Sequence, residues 1–140
     1  MTISDLHRQK IFLTARDCVD SPFRHQGRDR ASGLDCVGLI VHVAKTLNPG
    51  AFDFTGYKKI PGREAISRYA RMAGFGEKPM THMMAGDVVI LRFGRYLEHA
   101  AMLSDRGIIH ACEKYGRVVE HGLDPEWRAR IISVHSFPER

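Results

Sequence analysis

Gly33-Leu34-Asp35-Cys36-Val37-Gly38-Leu39-Ile40-Val41 sets a cysteine where a polar, Arg-rich stretch gives way to an apolar one. Val37, Ile40, Val41 and Ala44 recur at helical spacing, which predicts a helix over residues 35–47 with those four on its buried stripe. Asn48-Pro49-Gly50 stops it. Upstream, Leu6, Ile11, Phe12, Ala15, Cys18 and Val19 predict an earlier helix with Ser4 as N-cap, closed by Ser21-Pro22. Residues 23–32 read as a polar loop. Pro61 suits the start of a third helix carrying Ile66, Tyr69, Ala70 and Ala73 and ending at Gly74. Residues 76–85 read as loop.

Beyond residue 86 the period changes. Residues 87–93, 99–104, 108–112, 117–121 and 131–137 read as strands, and residues 124–130 as a short helical turn with Trp127 as packing anchor. Asp105-Arg106-Gly107 is a hairpin turn. Helices first and strands second predict an α+β fold, with N-terminal helices packed on a C-terminal antiparallel sheet. The 140 residues fit one domain spanning 1–140.

Composition is ordinary for a globular chain, with 44% hydrophobic and 26% charged residues. The net charge of +5 favours anionic partners such as cell-wall polymer. The basic residues are scattered and form no nucleic-acid-binding module, so no specific nucleic-acid partner is expected. Three cysteines with no CxxC pair argue against a disulfide framework and against a zinc cage. No metal or cofactor is expected. The first residues lack a basic and then apolar leader, and no apolar run is long enough to span a bilayer. The expectation is synthesis in the cytoplasm without a signal peptide and no membrane insertion.

A thiolate is the reactive form of cysteine. The positive end of a helix and a neighbouring imidazole both favour it, and Cys36 has the first by position. The alternative makes Cys36 a small buried hydrophobe. His99 and His110 lie on neighbouring strands. A two-residue loop between those strands sets both rings on one sheet face, and a three-residue loop sets them on opposite faces. On one face, one imidazole serves as base and the other orients it. His121 is the main rival within the sheet; His42 and His135 read as structural. Cys112 shares the face of His110 if the strand is regular.

Asp35-Cys36-Val37-Gly38-Leu39, His99-Ala100-Ala101-Met102 and Ile109-His110-Ala111, in that order, resemble the NlpC/P60 cysteine peptidases. Ser21-Pro22-Phe23-Arg24-His25-Gln26-Gly27 and Ala85-Gly86-Asp87-Val88-Val89 are similar to the flanking segments of that family. Residues 24–28 and 118–121 further resemble compact versions from phage tail operons and gene transfer agents. The resemblance implies a papain-like α+β fold and cleavage of peptidoglycan stem peptides, commonly between D-glutamate and diaminopimelate. It implies Cys36 as nucleophile, His99 as general base and His110 as the residue orienting His99. Asp35, Phe23 and Arg24 become candidate substrate contacts, Asp35 through the substrate amino group. Partners would be peptidoglycan or muropeptides and phage-tail-like structural proteins, within a phage-like particle. The family often has serine at Val37 and tyrosine at Phe23. Other amide or ester chemistry on the same trio, and a non-enzymatic tail-assembly or wall-binding role, are the alternative readings.

Overall fold

The computed structural model describes residues 2–57, 64–95 and 97–138. The chain opens with α1 (Ile3–Arg16). Its N-cap is Thr2 rather than the expected Ser4. The Thr2 hydroxyl accepts from the Asp5 amide at 3.0 Å, and the Asp5 carboxylate accepts from the Thr2 amide at 3.0 Å, a reciprocal capping box. The helix stops at Arg16, short of the expected Ser21-Pro22. Residues 17–20 form a turn that still buries Cys18 in the core, and Asp20 closes it in a left-handed conformation (φ 76°).

The segment expected as loop holds a two-stranded hairpin, β1 (Arg28–Asp29) and β2 (Gly33–Leu34), leading directly into α2 (Cys36–Leu47). Next comes α3 (Ala65–Met72). The expected start at Pro61 lies outside the described residues. Residues 76–85 are not all loop: Gly76–Lys78 forms strand β3 and Met80–His82 a 3₁₀ turn. Strands β4 (Val88–Phe93), β5 (Leu97–Ser104), β6 (Gly107–Cys112) and β7 (Arg117–His121) follow, then α4 (Pro125–Arg128) and β8 (Ile131–Ser136).

The main sheet has six strands in the order β3-β8-β4-β5-β6-β7, paired antiparallel throughout. Period-two alternation gives it two apolar faces. Val88, Ile90, Ala100, Met102, Ile109, Ala111 and Val118 meet Ile11 and Ala15 of α1, Leu39, Ile40 and Val43 of α2, and Ile66 of α3. Val89, Leu91, Ala101, Leu103, Ile108, Ile131 and Val134 form the core of the opposite face, with Phe93, Leu123 and Trp127 packed on it. This is the α+β architecture expected from helices preceding strands. Among the described residues no helix is long and apolar enough to cross a membrane.

The turn between β5 and β6 positions the site. Ser104 pairs with Gly107, leaving a two-residue loop of Asp105 and Arg106. Gly107 has φ 138°, and a Cβ there would lie 2.1 Å from the His121 carbonyl oxygen, so the position admits only glycine. The register places His99, Ala101 and Leu103 of β5 on the same face as Ile108 and His110 of β6. Pairing of Ile108 with His121 brings a third imidazole, from β7, to that face.

Candidate active site

The start of α2 is held by Asp35, its N-cap, which is 4% exposed. One carboxylate oxygen accepts from the Gly38 amide at 2.7 Å and from Arg28 Nη1 at 3.4 Å. The other accepts from the Gln26 amide at 2.7 Å and the Tyr57 hydroxyl at 2.6 Å. Four internal donors therefore converge on a carboxylate that the sequence suggested for a substrate amino group. Gly38 lets this cradle close: a Cβ there would meet the Gly27 carbonyl oxygen at 1.9 Å. Arg28 extends the network, with Nε on Asp53 at 3.0 Å and Nη1 on the Tyr57 hydroxyl at 2.9 Å.

Cys36 follows as the first residue of α2 and is partly buried. The backbone amides of Ala100, Val37 and Cys36 itself lie near enough to favour its thiolate. The Ala100 amide belongs to the peptide that leaves His99, so the helix start sits directly against β5 beside that histidine. Cys36 and His99 both line one cavity of about 530 Å³, together with Phe23, Tyr57, Cys112 and Trp127. Arg24 is exposed and stands apart from the residues lining the cavity. Glu98, 2% exposed, is in the wall and accepts from the Glu64 and Ile66 amides at the start of α3.

Behind His99 the rings form a chain. His99 Nε2 is 2.8 Å from His110 Nδ1, and His110 Nε2 is 2.8 Å from His121 Nε2. His121 Nδ1 is 3.0 Å from the Gly122 carbonyl oxygen. His121, read from sequence as a rival, is thus joined to the pair. The edge of Phe93 meets His99, and Trp127 tilts over both His110 and His121, with centroids 5.1 and 4.8 Å away.

The amides at the helix start do lower the thiol pKa, as expected, but burial outweighs them. Burial pushes the Cys36 thiol up to about 12, and the Asp35 charge acts in the same direction against the three backbone amides. Burial likewise pushes the His99 imidazole down to about 4, opposed by Asp35. His110 goes to about 3 through burial and then through the disfavoured charge beside His99 and His121. Both shifts favour a neutral thiol beside a neutral imidazole at rest. Among the described residues, no cluster of three or more His, Cys, Asp or Glu side chains is arranged to hold a metal ion.

Sequence reasoning did not foresee Tyr57, Arg28 or Glu98 in the site. Tyr57 reaches it from a distant loop, whereas Glu98 directly precedes His99 and Arg28 lies seven residues before Asp35.

The NlpC/P60 family model matches residues 20–136. The NlpC/p60 domain of the peptidoglycan hydrolase SagA superposes with a TM-score of 0.65 at 21% identity, covering 93% of this chain and 98% of that one. An NlpC/P60 family protein from Bacillus cereus gives 0.68 at 18% identity, covering 94% of this chain and 40% of that one. The P60 domain of an antigen from M. avium subspecies paratuberculosis gives 0.64 at 15% identity, covering 99% and 100%. No curated protein sequence matches the chain. Structural likeness at these identities speaks for the fold, and the family model speaks for membership: the chain belongs to the NlpC/P60 family.

Proposed function

We propose that this domain is a cysteine peptidase that hydrolyses amide bonds in peptidoglycan stem peptides, with D-glutamyl-diaminopimelate as the bond. The observation that carries the reading is that Cys36 and His99 line one cavity of peptide size, with His110 on the far nitrogen of the His99 ring. Family membership and the likeness to the domain of a peptidoglycan hydrolase point to the same substrate class.

In this reading Cys36 is the nucleophile. His99 Nε2 is engaged with His110, which leaves Nδ1 to take the thiol proton. Sulfur attacks the scissile carbonyl as the proton moves, giving a tetrahedral oxyanion near the backbone amides at the start of α2. Collapse forms the thioester, and His99 returns the proton to the leaving amine. Water, activated by the same imidazole, releases the acid and regenerates the thiol. Because thiol and imidazole rest neutral, proton transfer accompanies attack and does not precede it.

Asp35 has the role of fixing the helix start, since its oxygens are filled from within the chain. Phe23 lines the substrate cavity. Association with phage-tail-like particles rests on the resemblance of residues 24–28 and 118–121 alone.

The raised Cys36 pKa favours one other reading, a wall-binding protein that keeps the fold without turnover. Incubation with purified sacculi, followed by mass spectrometry of the soluble fragments, separates the two. Peptidase action releases fragments with a new carboxyl and a new amino terminus at one stem bond. Binding alone depletes the protein from solution and releases nothing.

A further inference from the structure

We infer that His121 is a positioning residue that sets the protonation pattern of the whole imidazole chain and so leaves His99 Nδ1 free to act as a base. The inference rests on the reading of His99 as the base and adds a member that the cysteine-histidine-histidine assignment does not contain.

The argument starts at the far end of the chain. The Gly122 carbonyl oxygen has no proton to give, so the 3.0 Å contact with His121 Nδ1 requires a hydrogen on that nitrogen. A neutral imidazole carries one N–H, so His121 Nε2 must be an acceptor. The 2.8 Å contact to His110 Nε2 is then a bond donated by His110. That leaves His110 Nδ1 as acceptor, and the 2.8 Å contact to His99 Nε2 is donated by His99. The last free nitrogen, His99 Nδ1, carries a lone pair. One backbone carbonyl thus dictates three tautomers in sequence. Without that anchor, His110 and His99 could both be reversed together, and His99 Nδ1 would then hold a proton and be useless as a base.

The surroundings keep the pattern from relaxing. His110 is 0% exposed, so its ring nitrogens find partners in the two neighbouring imidazoles. Trp127 covers His110 and His121 on one side. Gly107 admits the His121 backbone at a distance no side chain would allow, which holds β7 in register with the hairpin.

The test is nitrogen-15 NMR of histidine side chains in the full chain at pH 8, with His121→Phe and His121→Gln variants assayed alongside. In the wild type, His121 should be the Nδ1–H tautomer, and His110 and His99 both Nε2–H. In His121→Phe, which keeps a ring against Trp127 but offers no acceptor, His110 and His99 should show mixed tautomers. Its kcat on muropeptide should fall at least about tenfold with little change in KM. In His121→Gln, whose side-chain carbonyl can accept from His110, the wild-type pattern and most of kcat should return. A wild-type His110 found as Nδ1–H, or a His121→Phe protein with unaltered tautomers, overturns the inference. If His121→Phe does not fold, the wild-type spectrum and His121→Gln still decide. Cys36→Ala separates this from failure of the peptidase reading: it should abolish turnover and leave all three tautomers unchanged.

Discussion

His99 Nε2 lies 2.8 Å from His110 Nδ1, with the two rings nearly perpendicular at 79°. The contact exists because a two-residue turn at Asp105 and Arg106 puts both side chains on one face of the sheet. It fixes the plane of the His99 ring and commits one of its nitrogens. Replacing His110 by alanine should therefore lower kcat/KM on muropeptides by about 10²–10⁴-fold, the usual worth of an oriented base. Steady-state kinetics on a purified stem-peptide fragment check this. A loss below threefold would remove His110 from the site.

The neutral resting pair predicts a sluggish thiol. At pH 7, iodoacetamide should label Cys36 more slowly than it labels the same cysteine in the urea-unfolded chain, because burial holds the folded thiol near 12. The rate should climb steeply above pH 9. Peptide mapping assigns the label among Cys18, Cys36 and Cys112. Rapid alkylation of Cys36 at pH 6 would reveal a preformed thiolate-imidazolium pair and contradict the account.

Stability should fall as acid is added, before carboxylates titrate. His99 and His110 have folded pKa values below the ordinary 6.5, so the unfolded chain takes up their protons first. Their contribution is complete above pH 6.5 and is lost as pH falls through about 4 and 3. One unit below 6.5, each imidazole should already have cost about 1.4 kcal/mol. His42 and His135, also held low by burial, act in the same direction. Urea midpoints at pH 7.5 and 5.5 measure the difference, and a His110→Phe variant should show a shallower dependence. A midpoint that does not move over this range would contradict the burial of neutral rings.

Asp35→Ala should behave as a stability variant before it behaves as a binding variant. The change strips an N-cap and leaves buried donors from Gly38, Gln26 and Tyr57 without an acceptor. A loss of about 2–4 kcal/mol is expected from the cap and the orphaned donors. Thermal unfolding and KM, measured together, are the check. Unchanged stability with a raised KM would restore Asp35 to the substrate amino group.

Much of this arrangement was legible in the residues. Helix α2 and strands β4 to β8 carry strong periodicity, so their existence and order follow from pattern, but the deepest residues of α2 are Leu39 and Val43, outside the expected stripe, and Ala44 is only partly buried. The side of the sheet occupied by His99 and His110 reduced to the length of one turn, which Asp105-Arg106-Gly107 left open between two choices. Strand β3 was missed because three mostly exposed residues on a sheet edge show no alternation. Thr2 took the cap expected of Ser4 because the reciprocal bond with Asp5 is spaced for it. The raised thiol pKa was not legible, since a sequence displays the helix start but not the depth of burial that outweighs it. His121 joined the site through cross-strand register, which local sequence does not encode.

Digestion of a defined muropeptide by the wild type and by Cys36→Ala, followed by mass spectrometry of both products and protein, tests the central claim most directly. The account predicts cleavage at one stem amide by the wild type, with an acyl adduct on the Cys36 peptide in rapidly quenched samples. It predicts neither product nor adduct from a Cys36→Ala protein with unchanged circular dichroism. Wild-type rates from the folded Cys36→Ala variant would show that the sulfur beside His99 is not the nucleophile.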